Sequence, residues 1–399
     1  MNPTADVLVI GGGVIGSAVL YYLSKEGVRA ALVERGDICS GTSGACDGNI
    51  LSIDKEPGYD SRLGLLSQGL LRELVDELDY DVDYTQRGSV LVVEPDACQE
   101  AMARDWMQRQ KEAGLPMRYI EGREVFESEP LLARDVIGLV ECASDSSLSP
   151  LALTFGLVEA AKRLGGVVHP RTEIQELLRD RAGSIRGARA ATGEFTAPKV
   201  VLAAGVWTPH LAGTLGLDVP IKPRKGHILV GERTPDLGCR KLQEFGYLMA
   251  KFGQKGVRDV EPGMEENGVA MVYEPTGHGN FLIGSSRQFV GFDTQCDLGV
   301  LRLLARRALR FFPALRNMRV IHSYAGLRPW TPDHCPIVSA VASVPGLYIA
   351  AGHEGDGIGL APITGRLVSE MITGRDTIVS IDPLRLERFG EGAATSASR

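Results

Sequence analysis

The chain has 399 residues and a formal net charge of −7, so it is long enough for two domains and too acidic for the broad basic surface that nucleic-acid binding requires. It shows neither a basic N-terminal segment followed by an apolar stretch nor an apolar run of about 18 residues, so we expect no signal peptide and no transmembrane segment. Its seven cysteines are scattered without a C-x-x-C pair, which disfavours a metal site. Scattered thiols fit a reducing compartment, so we expect a cytoplasmic protein. Peripheral attachment to the inner face of a membrane stays open.

The first predicted element is a buried strand over residues 7–10, which ends in a glycine turn and passes into a helix. Gly11 permits the tight turn, Gly13 lets a diphosphate approach the backbone, and Gly16 lets the helix pack closely on the strand. A second apolar run ends at Glu34, where an acidic residue binds ribose hydroxyls in such units. This order of elements predicts a dinucleotide-binding unit with its phosphates at a helix N-terminus.

A loop rich in small residues follows over residues 39–49, and its free N–H groups suit close approach to a phosphate or a flat ring. Helices and strands then alternate. We predict helices over residues 61–78, 96–113 and 149–164, and strands over residues 88–94, 138–142, 167–169 and 199–205.

The pattern changes over residues 221–293, where short strands are separated by glycine- and proline-containing turns, as is typical of an antiparallel sheet. These strands are predicted at residues 227–230, 269–273 and 280–284. An amphipathic helix is predicted over residues 298–312, and its basic residues are expected to form a solvated face. They are Arg302, Arg306, Arg307 and Arg310.

A last strand over residues 346–353 leads into a second glycine turn and a helix that reaches residue 372. A nicotinamide cofactor needs one crevice, whereas a flavin ring is often held by a second loop far along the chain. The N-terminal N–H groups of this second helix would face the edge of a flavin that gains negative charge on reduction. We therefore predict FAD rather than NAD.

Five segments together resemble the D-amino acid oxidase and glycine oxidase family of flavoproteins, over roughly residues 5 to 375. They are the turn from Gly11 to Gly16 with Glu34, and the segments 40–44, 201–207, 326–333 and 352–357. Within the family, the segments 352–358 and 281–287 look most like the catalytic subunits of opine and hydroxyproline dehydrogenases and of hydrogen cyanide synthase.

The resemblance implies an α/β fold, with a glutathione-reductase-type FAD-binding Rossmann domain and an inserted antiparallel-sheet substrate domain. We assign residues 1–80, 140–215 and 320–385 to the FAD-binding domain, residues 81–139 and 216–319 to the substrate domain, and residues 386–399 to a loose tail. The predicted cofactor-binding residues are Gly11, Gly13, Val14, Ile15, Gly16, Glu34, Arg35, Ser40, Thr42, Ser43, Gly48, Asn49, Ile174, Ala204, Gly205, Trp207, Gly352, Glu354, Gly355, Asp356, Gly357 and Ile358.

The family oxidises a C–N bond by passing a hydride from carbon to flavin N5, which gives an imine. The resemblance assigns the grip on the substrate carboxylate to Arg328, and a guanidinium suits this task because it forms two parallel hydrogen bonds. His353 is predicted as a second catalytic residue, either facing the ring or only bonding the backbone. Tyr273, Arg287 and His227 are candidates for the substrate side, with packing or surface roles as the alternatives.

Some members of the family that the chain resembles bind flavin covalently through a cysteine just ahead of the threonine–proline–aspartate stretch. Here residues 325–330 contain no cysteine and Cys335 lies beyond the stretch, so the resemblance implies non-covalent FAD. We identify no lysine of the kind that promotes oxygen reactivity, which favours a dehydrogenase over an oxidase. The electron acceptor stays open between a quinone, a partner subunit and O2, as does a homo- or hetero-oligomeric state. Two alternatives are a 2-hydroxy acid or polyol dehydrogenase, and a flavin-bearing subunit active only within a heteromer.

Overall fold

A computed structural model describes residues 5–233, 240–252 and 258–390. Residues 391–399 of the predicted loose tail lie outside the described residues. The prediction is wrong for the first residues of that tail, because Leu386 is buried in the core and Arg388 forms an ion pair with Asp333 at 2.6 Å. Within the described ranges, no helix combines the length and the apolar character needed to cross a bilayer.

The elements alternate between helices and strands along most of the chain. The strands are β1 (Val7–Ile10), β2 (Ala30–Val33), β3 (Asn49–Ile50), β4 (Ser89–Val93), β5 (Met117–Glu121), β6 (Gly138–Cys142), β7 (Ser146–Ser147), β8 (Val167–His169), β9 (Ile174–Arg179), β10 (Ile185–Ala190), β11 (Gly193–Thr196), β12 (Lys199–Leu202), β13 (Lys222–Gly231), β14 (Lys241–Glu244), β15 (Val272–Pro275), β16 (Phe281–Gly284), β17 (Val320–Trp330), β18 (Ile337–Ala340) and β19 (Leu347–Ala351). The helices are α1 (Val14–Lys25), α2 (Tyr59–Glu77), α3 (Ala97–Glu112), α4 (Arg123–Ser128), α5 (Pro150–Arg163), α6 (Thr208–Gly213), α7 (Phe245–Lys251), α8 (Pro262–Glu266), α9 (Leu298–Phe311) and α10 (Gly357–Thr373).

A six-stranded sheet, in the order β18-β19-β12-β1-β2-β8, forms the first of two layers and combines strands from both ends of the chain. Strand β1 runs parallel to both β12 and β2 and is buried on both faces, which explains its uninterrupted apolar sequence. Val7 and Val9 join the core formed with α1 and α10, whereas Leu8 and Ile10 join the core on the other face. This sheet brings the start of α1 and the start of α10 to the same edge.

An eight-stranded sheet, in the order β17-β13-β16-β15-β14-β4-β6-β5, forms the second layer. Its longest pair is the antiparallel pair β13 and β17, in which Arg224 lies opposite Arg328 and Gly226 lies opposite Gly326. The predicted antiparallel character holds for most of this sheet, but β14 pairs with β4 in parallel. The strand predicted at residues 269–273 begins instead at Val272.

Two predicted domain boundaries cut through this second sheet. Strand β17 pairs along its length with β13, although residues 320–330 were predicted in the FAD-binding domain. Strand β6 pairs with β4 and β5 and crosses the predicted boundary after residue 139. The local sequence of a strand does not identify the sheet to which it belongs, so only the pairing partners reveal where these two strands lie.

Helix α9 begins close to its predicted position, but its basic face is not wholly solvated. Arg307 is buried and forms ion pairs with Glu244 and, at 2.7 Å, with Glu94, whereas Arg302 and Arg306 are exposed. The prediction of a solvated face is wrong for Arg307 because the carboxylates of Glu244, in β14, and of Glu94, just after β4, pair with it.

Candidate active site

The first end of a large cavity is formed by the glycine turn between β1 and α1. A side chain at Gly11 would collide with the carbonyl oxygen of Ala203, and one at Gly16 would collide with that of Gly11. Helix α1 has no side-chain cap at Gly13, and Ser43 on the neighbouring loop accepts the N–H of Val14 at 3.0 Å. The turn therefore presents backbone N–H groups and small side chains to the cavity.

Glu34, at the end of β2, lies at the same end of the cavity. Its two carboxylate oxygens accept the N–H of Gly12 at 2.6 Å and the N–H of Gly36 at 2.8 Å. Each oxygen retains lone-pair capacity for a further donor. Beside it, the guanidinium of Arg35 lies 3.7 Å from the ring centroid of Trp207, and this stack makes one wall.

The second glycine turn, between β19 and α10, closes the cavity from the other side. Helix α10 starts at Gly357 without a side-chain cap, so its first N–H groups are available there. Burial alone would raise the pKa of Asp356, but the charge of Lys55, 2.9 Å away, outweighs it and lowers the pKa. Glu354 forms an ion pair with Arg224, so both acidic side chains of the turn are matched by cations.

Strands β13 and β17 supply the floor at this end of the cavity. Because side chains alternate across a strand, Arg224, Gly226 and Ile228 face the cavity together with Gly326 and Arg328 of the opposite strand. The guanidinium of Arg328 passes over Gly226, where any side chain would collide with it.

Arg328 is fixed by two hydrogen bonds from its guanidinium. Its Nη1 donates to the carbonyl oxygen of Ser286 at 3.0 Å, and its Nη2 donates to Oγ of Ser285 at 2.6 Å. A Cβ placed on Gly355 would lie 3.7 Å from Nε of Arg328, so the side chain runs beside the second glycine turn. The predicted carboxylate-gripping residue therefore lies in the cavity, next to the turn predicted to hold the flavin.

The same alternation places two predicted substrate-side residues away from the cavity. His227 is fully buried on the opposite face, where Nδ1 lies 2.8 Å from Oγ of Ser286 and Nε2 accepts the N–H of Asp297 at 3.1 Å. Tyr273 packs against the rings of Phe281 and Phe312 while its neighbour Val272 lines the cavity. Placing His227 and Tyr273 against a substrate was therefore wrong.

Two predicted cofactor residues shape the cavity from behind without lining it. Gly16 lies inside the turn, as described above. Gly48 donates its backbone N–H to the buried carboxyl of Glu274, at 3.0 Å and 3.2 Å to its two oxygens. The other predicted residues that line the cavity are Gly11, Gly13, Val14, Ile15, Glu34, Arg35, Ser40, Thr42, Ser43, Asn49, Ile174, Ala204, Gly205, Trp207, Arg287, Arg328, Gly352, His353, Glu354, Gly355, Asp356, Gly357 and Ile358.

His353 lines the cavity wall but is tied to α10. Its Nε2 lies 2.9 Å from Oγ1 of Thr364, and the side chain is 3% exposed. Burial lowers the pKa of His353 to about 3, so the imidazole is neutral. Of its two predicted roles, the geometry favours bonding within the protein, although the partner is a side chain and not the backbone.

Several residues at the second end of the cavity could not be predicted from the sequence. Tyr247 and Lys251 come from α7, Lys241 from β14, and Asp54 from the loop before α2. Burial would raise the pKa of Tyr247, but nearby guanidinium groups outweigh it and lower the pKa. These residues belong to no motif. The pairing of β14 within its sheet brings Lys241, Tyr247 and Lys251 here, and the loop after β3 brings Asp54.

A family of known proteins matches nearly the whole chain. The family described as "DAO: FAD dependent oxidoreductase" matches residues 6–371. The chain belongs to this family. The resemblance stated from the motifs, the α/β fold class and the FAD cofactor are therefore confirmed.

Individual relatives of this DAO-family chain agree with that assignment. Glycine oxidase of Geobacillus kaustophilus is 28% identical over 97% of this chain and 98% of its own length. Hydrogen cyanide synthase subunit HcnC of Pseudomonas aeruginosa is 26% identical over 98% of this chain and 97% of its own. The crystal structure of the G. kaustophilus glycine oxidase superposes with a TM-score of 0.86, at 26% identity, over 96% of this chain and 99% of that one. L-Proline dehydrogenase from P. horikoshii, at 23% identity, shares the fold, with a TM-score of 0.87 over 98% of this chain and 99% of its own.

The residues of the cavity fit FAD. Helices α1 and α10 lie at opposite ends of the chain but begin at the same space, and the positive end of each helix dipole suits an electron-rich group. The turn at Gly13 with Ser43 would hold the diphosphate, and Glu34 would hold the ribose. The start of α10 at Gly357 would face the electron-rich edge of the flavin ring.

Proposed function

We propose that this chain oxidises the C–N bond of a small amino acid or of an N-substituted or imino amino acid. The substrate carbon loses a hydride and its nitrogen loses a proton, which gives an imine. Candidates are D-hydroxyproline, an opine, a D-amino acid and glycine. The observation that carries this proposal is the guanidinium of Arg328, which lines the cavity beside the second glycine turn at Gly355.

Arg328 would hold the substrate carboxylate. Among the residues that the structure describes, no carboxylate lies within 4.0 Å of its guanidinium, so its charge is available to a ligand. Its bonds to Ser285 and Ser286 fix the side chain before substrate arrives, which lowers the entropic cost of binding. FAD, when bound, supplies the acceptor for the hydride.

Proton transfer does not require His353 in this arrangement. Its imidazole is neutral and held by Thr364, so we propose that it supports the start of α10 instead of exchanging protons. A substrate that binds with its amine already neutral needs no strong protein base, and positioning by Arg328 then supplies the main contribution.

We also propose that the FAD is bound without a covalent link. Cys46 lines the cavity, but burial raises its pKa well above the ordinary value, so the thiol stays protonated and is a poor nucleophile. The electron acceptor, the assembly state and the cytoplasmic location remain as proposed from the sequence. Lys241 and Lys251 line the cavity, so the apparent absence of a lysine no longer favours a dehydrogenase over an oxidase.

Anaerobic bleaching of the bound flavin tests this function without requiring knowledge of the acceptor. The purified protein is mixed with a panel of amino acids, opines, imino acids and 2-hydroxy acids, and its visible absorbance is followed. We expect bleaching by at least one amine and by no hydroxy acid. Bleaching by hydroxy acids alone would favour the 2-hydroxy acid or polyol alternative. Failure to bleach until a copurifying subunit is restored would favour the heteromer alternative.

A further inference from the structure

The end of the cavity next to the second glycine turn carries more positive charge than one carboxylate requires. Arg224, Arg287, Arg328 and Lys251 all line it. Arg224 forms an ion pair with Glu354. Across the described ranges, neither Arg287 nor Arg328 has a carboxylate within 4.0 Å.

Arg287 is held in place independently of Arg328. Its guanidinium lies 4.2 Å from the ring centroid of Tyr247, which is buried, and its backbone N–H donates to the carbonyl oxygen of Asn267 at 2.8 Å. Stacking on an aromatic face fixes the guanidinium plane while leaving its N–H edge free to bind an anion. Arg287 therefore resembles a prepared anion-binding group more than a solvated surface residue.

Within the part of the chain that the structure describes, the surroundings of Arg287 offer attraction but no ion pair. Burial lowers the pKa of Arg287; the attraction of Tyr247 opposes this effect, and repulsion from Arg328 adds to it. Asp54 and Asp356 attract Arg287 but do not pair with it, and Asp356 is already paired with Lys55. A partly buried cation without a counter-ion is unfavourable, and an anion bound between the groups would remove that cost.

We infer that the substrate carries two anionic groups, the α-carboxylate on Arg328 and a second carboxylate on Arg287. The substrate class is then a dicarboxylic amine, either an N-carboxyalkyl amino acid or an amino acid with a side-chain carboxylate. This inference rests on the proposed function, because it assigns the first carboxylate to the substrate that is oxidised.

Equilibrium binding of unreactive thioethers tests the inference apart from turnover. In these compounds sulfur replaces the amine, so no C–N bond can be oxidised. Thiodiacetate mimics an N-carboxyalkyl amino acid, (methylthio)succinate mimics an acid with a side-chain carboxylate, and (methylthio)acetate carries one carboxylate. Affinities for the FAD-loaded protein are measured by isothermal titration calorimetry.

We expect at least one dicarboxylate to bind about ten- to hundredfold more tightly than (methylthio)acetate, as suits an additional charge-assisted contact. Arg287→Gln should remove this preference while leaving the affinity for (methylthio)acetate within about threefold, a change of less than 1 kcal/mol. Arg287→Lys should keep part of the preference, since it keeps the charge but loses the planar fork. Arg302→Gln, on the exposed face of α9, is the matched control and should change nothing.

Equal affinity for one and two carboxylates in the unmodified protein would overturn the inference. So would a loss of affinity for all three ligands in Arg287→Gln, because that pattern indicates a structural role. The bleaching and binding experiments together distinguish the second anion site from the proposed function. If amines bleach the flavin but the preference is absent, the proposed function stands and the second anion site is wrong. If thiodiacetate binds tightly but no amine bleaches the flavin, the anion site stands and the proposed function is wrong.

Discussion

At the scale of single residues, the cavity floor depends on which side chains share a strand face. Arg328 reaches over Gly226 because that position has no side chain, and the register of β13 and β17 sets this match. Its two hydrogen bonds then direct the guanidinium along the second glycine turn. A one-residue shift of either strand would turn Arg328 to the opposite face.

Arg328→Lys should therefore weaken substrate binding without releasing FAD. A lysine keeps the charge but cannot form two parallel hydrogen bonds, so we expect the half-saturating substrate concentration for anaerobic flavin reduction to rise about ten- to hundredfold. Flavin content, measured by absorbance, should stay unchanged. Arg302→Lys provides the comparison at an exposed position. Unchanged kinetics in Arg328→Lys would remove this residue from the substrate site.

Glu274 gives a second residue-scale prediction, concerning pH. Burial, with the nearby charge of Asp47, raises the pKa of Glu274 from 4.5 to about 8. A raised carboxyl pKa means that the folded state holds a proton which the unfolded state has lost, so this contribution to stability is full below pH 4.5 and falls as pH rises to about 8.

Glu274→Gln should remove that pH dependence. Urea unfolding measures the free energy of unfolding at each pH. Between pH 5 and pH 8, this free energy should fall in the unmodified protein by up to about 1.4 kcal/mol per pH unit relative to the variant. Glu265→Gln, at an exposed position, should follow the unmodified protein. Parallel curves for the unmodified protein and Glu274→Gln would show that Glu274 is already ionised in the folded state.

Single residues also show where sequence reasoning reached its limit. Arg328 could be placed because it belongs to a motif with a fixed position in the fold. His227 and Tyr273 could not, because the side of the sheet that each faces depends on strand register, which one sequence does not reveal. Tyr247 was missed because nothing in its local sequence marks it.

At the scale of elements, the glycines at the start of α1 have different roles, because two of them are needed for folding and one is needed only for binding FAD. Gly11 has a φ of +119°, and Gly16 lies against a neighbouring carbonyl, so both are needed for the turn itself. Gly13 differs, because its φ of −77° and ψ of 179° are accessible to any residue. A Cβ there would meet only Oγ of Ser43, at 3.1 Å.

Gly13→Val should therefore yield a folded protein that does not retain FAD. The added side chain would occupy the space where a diphosphate approaches the backbone. We expect a colourless protein whose far-ultraviolet circular dichroism matches that of the unmodified chain. Gly69→Val, on α2 with open space around it, should remain yellow. A yellow, fully loaded Gly13→Val protein would contradict the assignment of the diphosphate site.

Helix α9 provides an element-scale test of buried charge. Arg307 is 4% exposed and pairs with Glu244 and Glu94, whereas the adjacent Arg306 pairs with Glu261 at the surface. Arg307→Ala should destabilise the protein by about 3–5 kcal/mol, since it leaves carboxylates buried without their partner. Arg306→Ala should cost no more than about 1 kcal/mol. Equal effects in urea unfolding would argue against the buried pairs.

At the scale of the whole molecule, the order of elements could be predicted more reliably than their division between two sheets. The glycine turns identified strands β1 and β19, because a glycine turn between an apolar strand and a helix is typical of the strand ends in this kind of sheet. Strand β17 could not be assigned, since its partner β13 lies about a hundred residues away in the sequence and pairing between distant segments leaves no local pattern.

The two sheets are joined through the loop that follows β2. Thr42 donates from Oγ1 to the carbonyl oxygen of Leu327 at 2.6 Å, and the hydroxyl of Tyr324 donates to that of Cys46 at 3.1 Å. Leu327 and Tyr324 both belong to β17 of the eight-stranded sheet, and the loop that they contact lines the FAD cavity. A ligand in this cavity therefore contacts both layers at once.

Removal of FAD should consequently destabilise the whole molecule and not only the six-stranded half. A ligand present at about 1,000 times its dissociation constant stabilises the folded state by about 4 kcal/mol. Urea unfolding with and without excess FAD, followed by circular dichroism and by tryptophan fluorescence, should show both signals shifting together. Trp106 and Trp330 belong to the eight-stranded sheet and its core, whereas Trp207 lines the cavity, so the fluorescence is measured in a Trp207→Phe background and then reports on the second layer. If FAD shifts the circular dichroism transition but leaves the fluorescence transition in place, the sheets unfold independently and the loop does not couple them. Gly13→Val should abolish both shifts, which ties the effect to the assigned cavity.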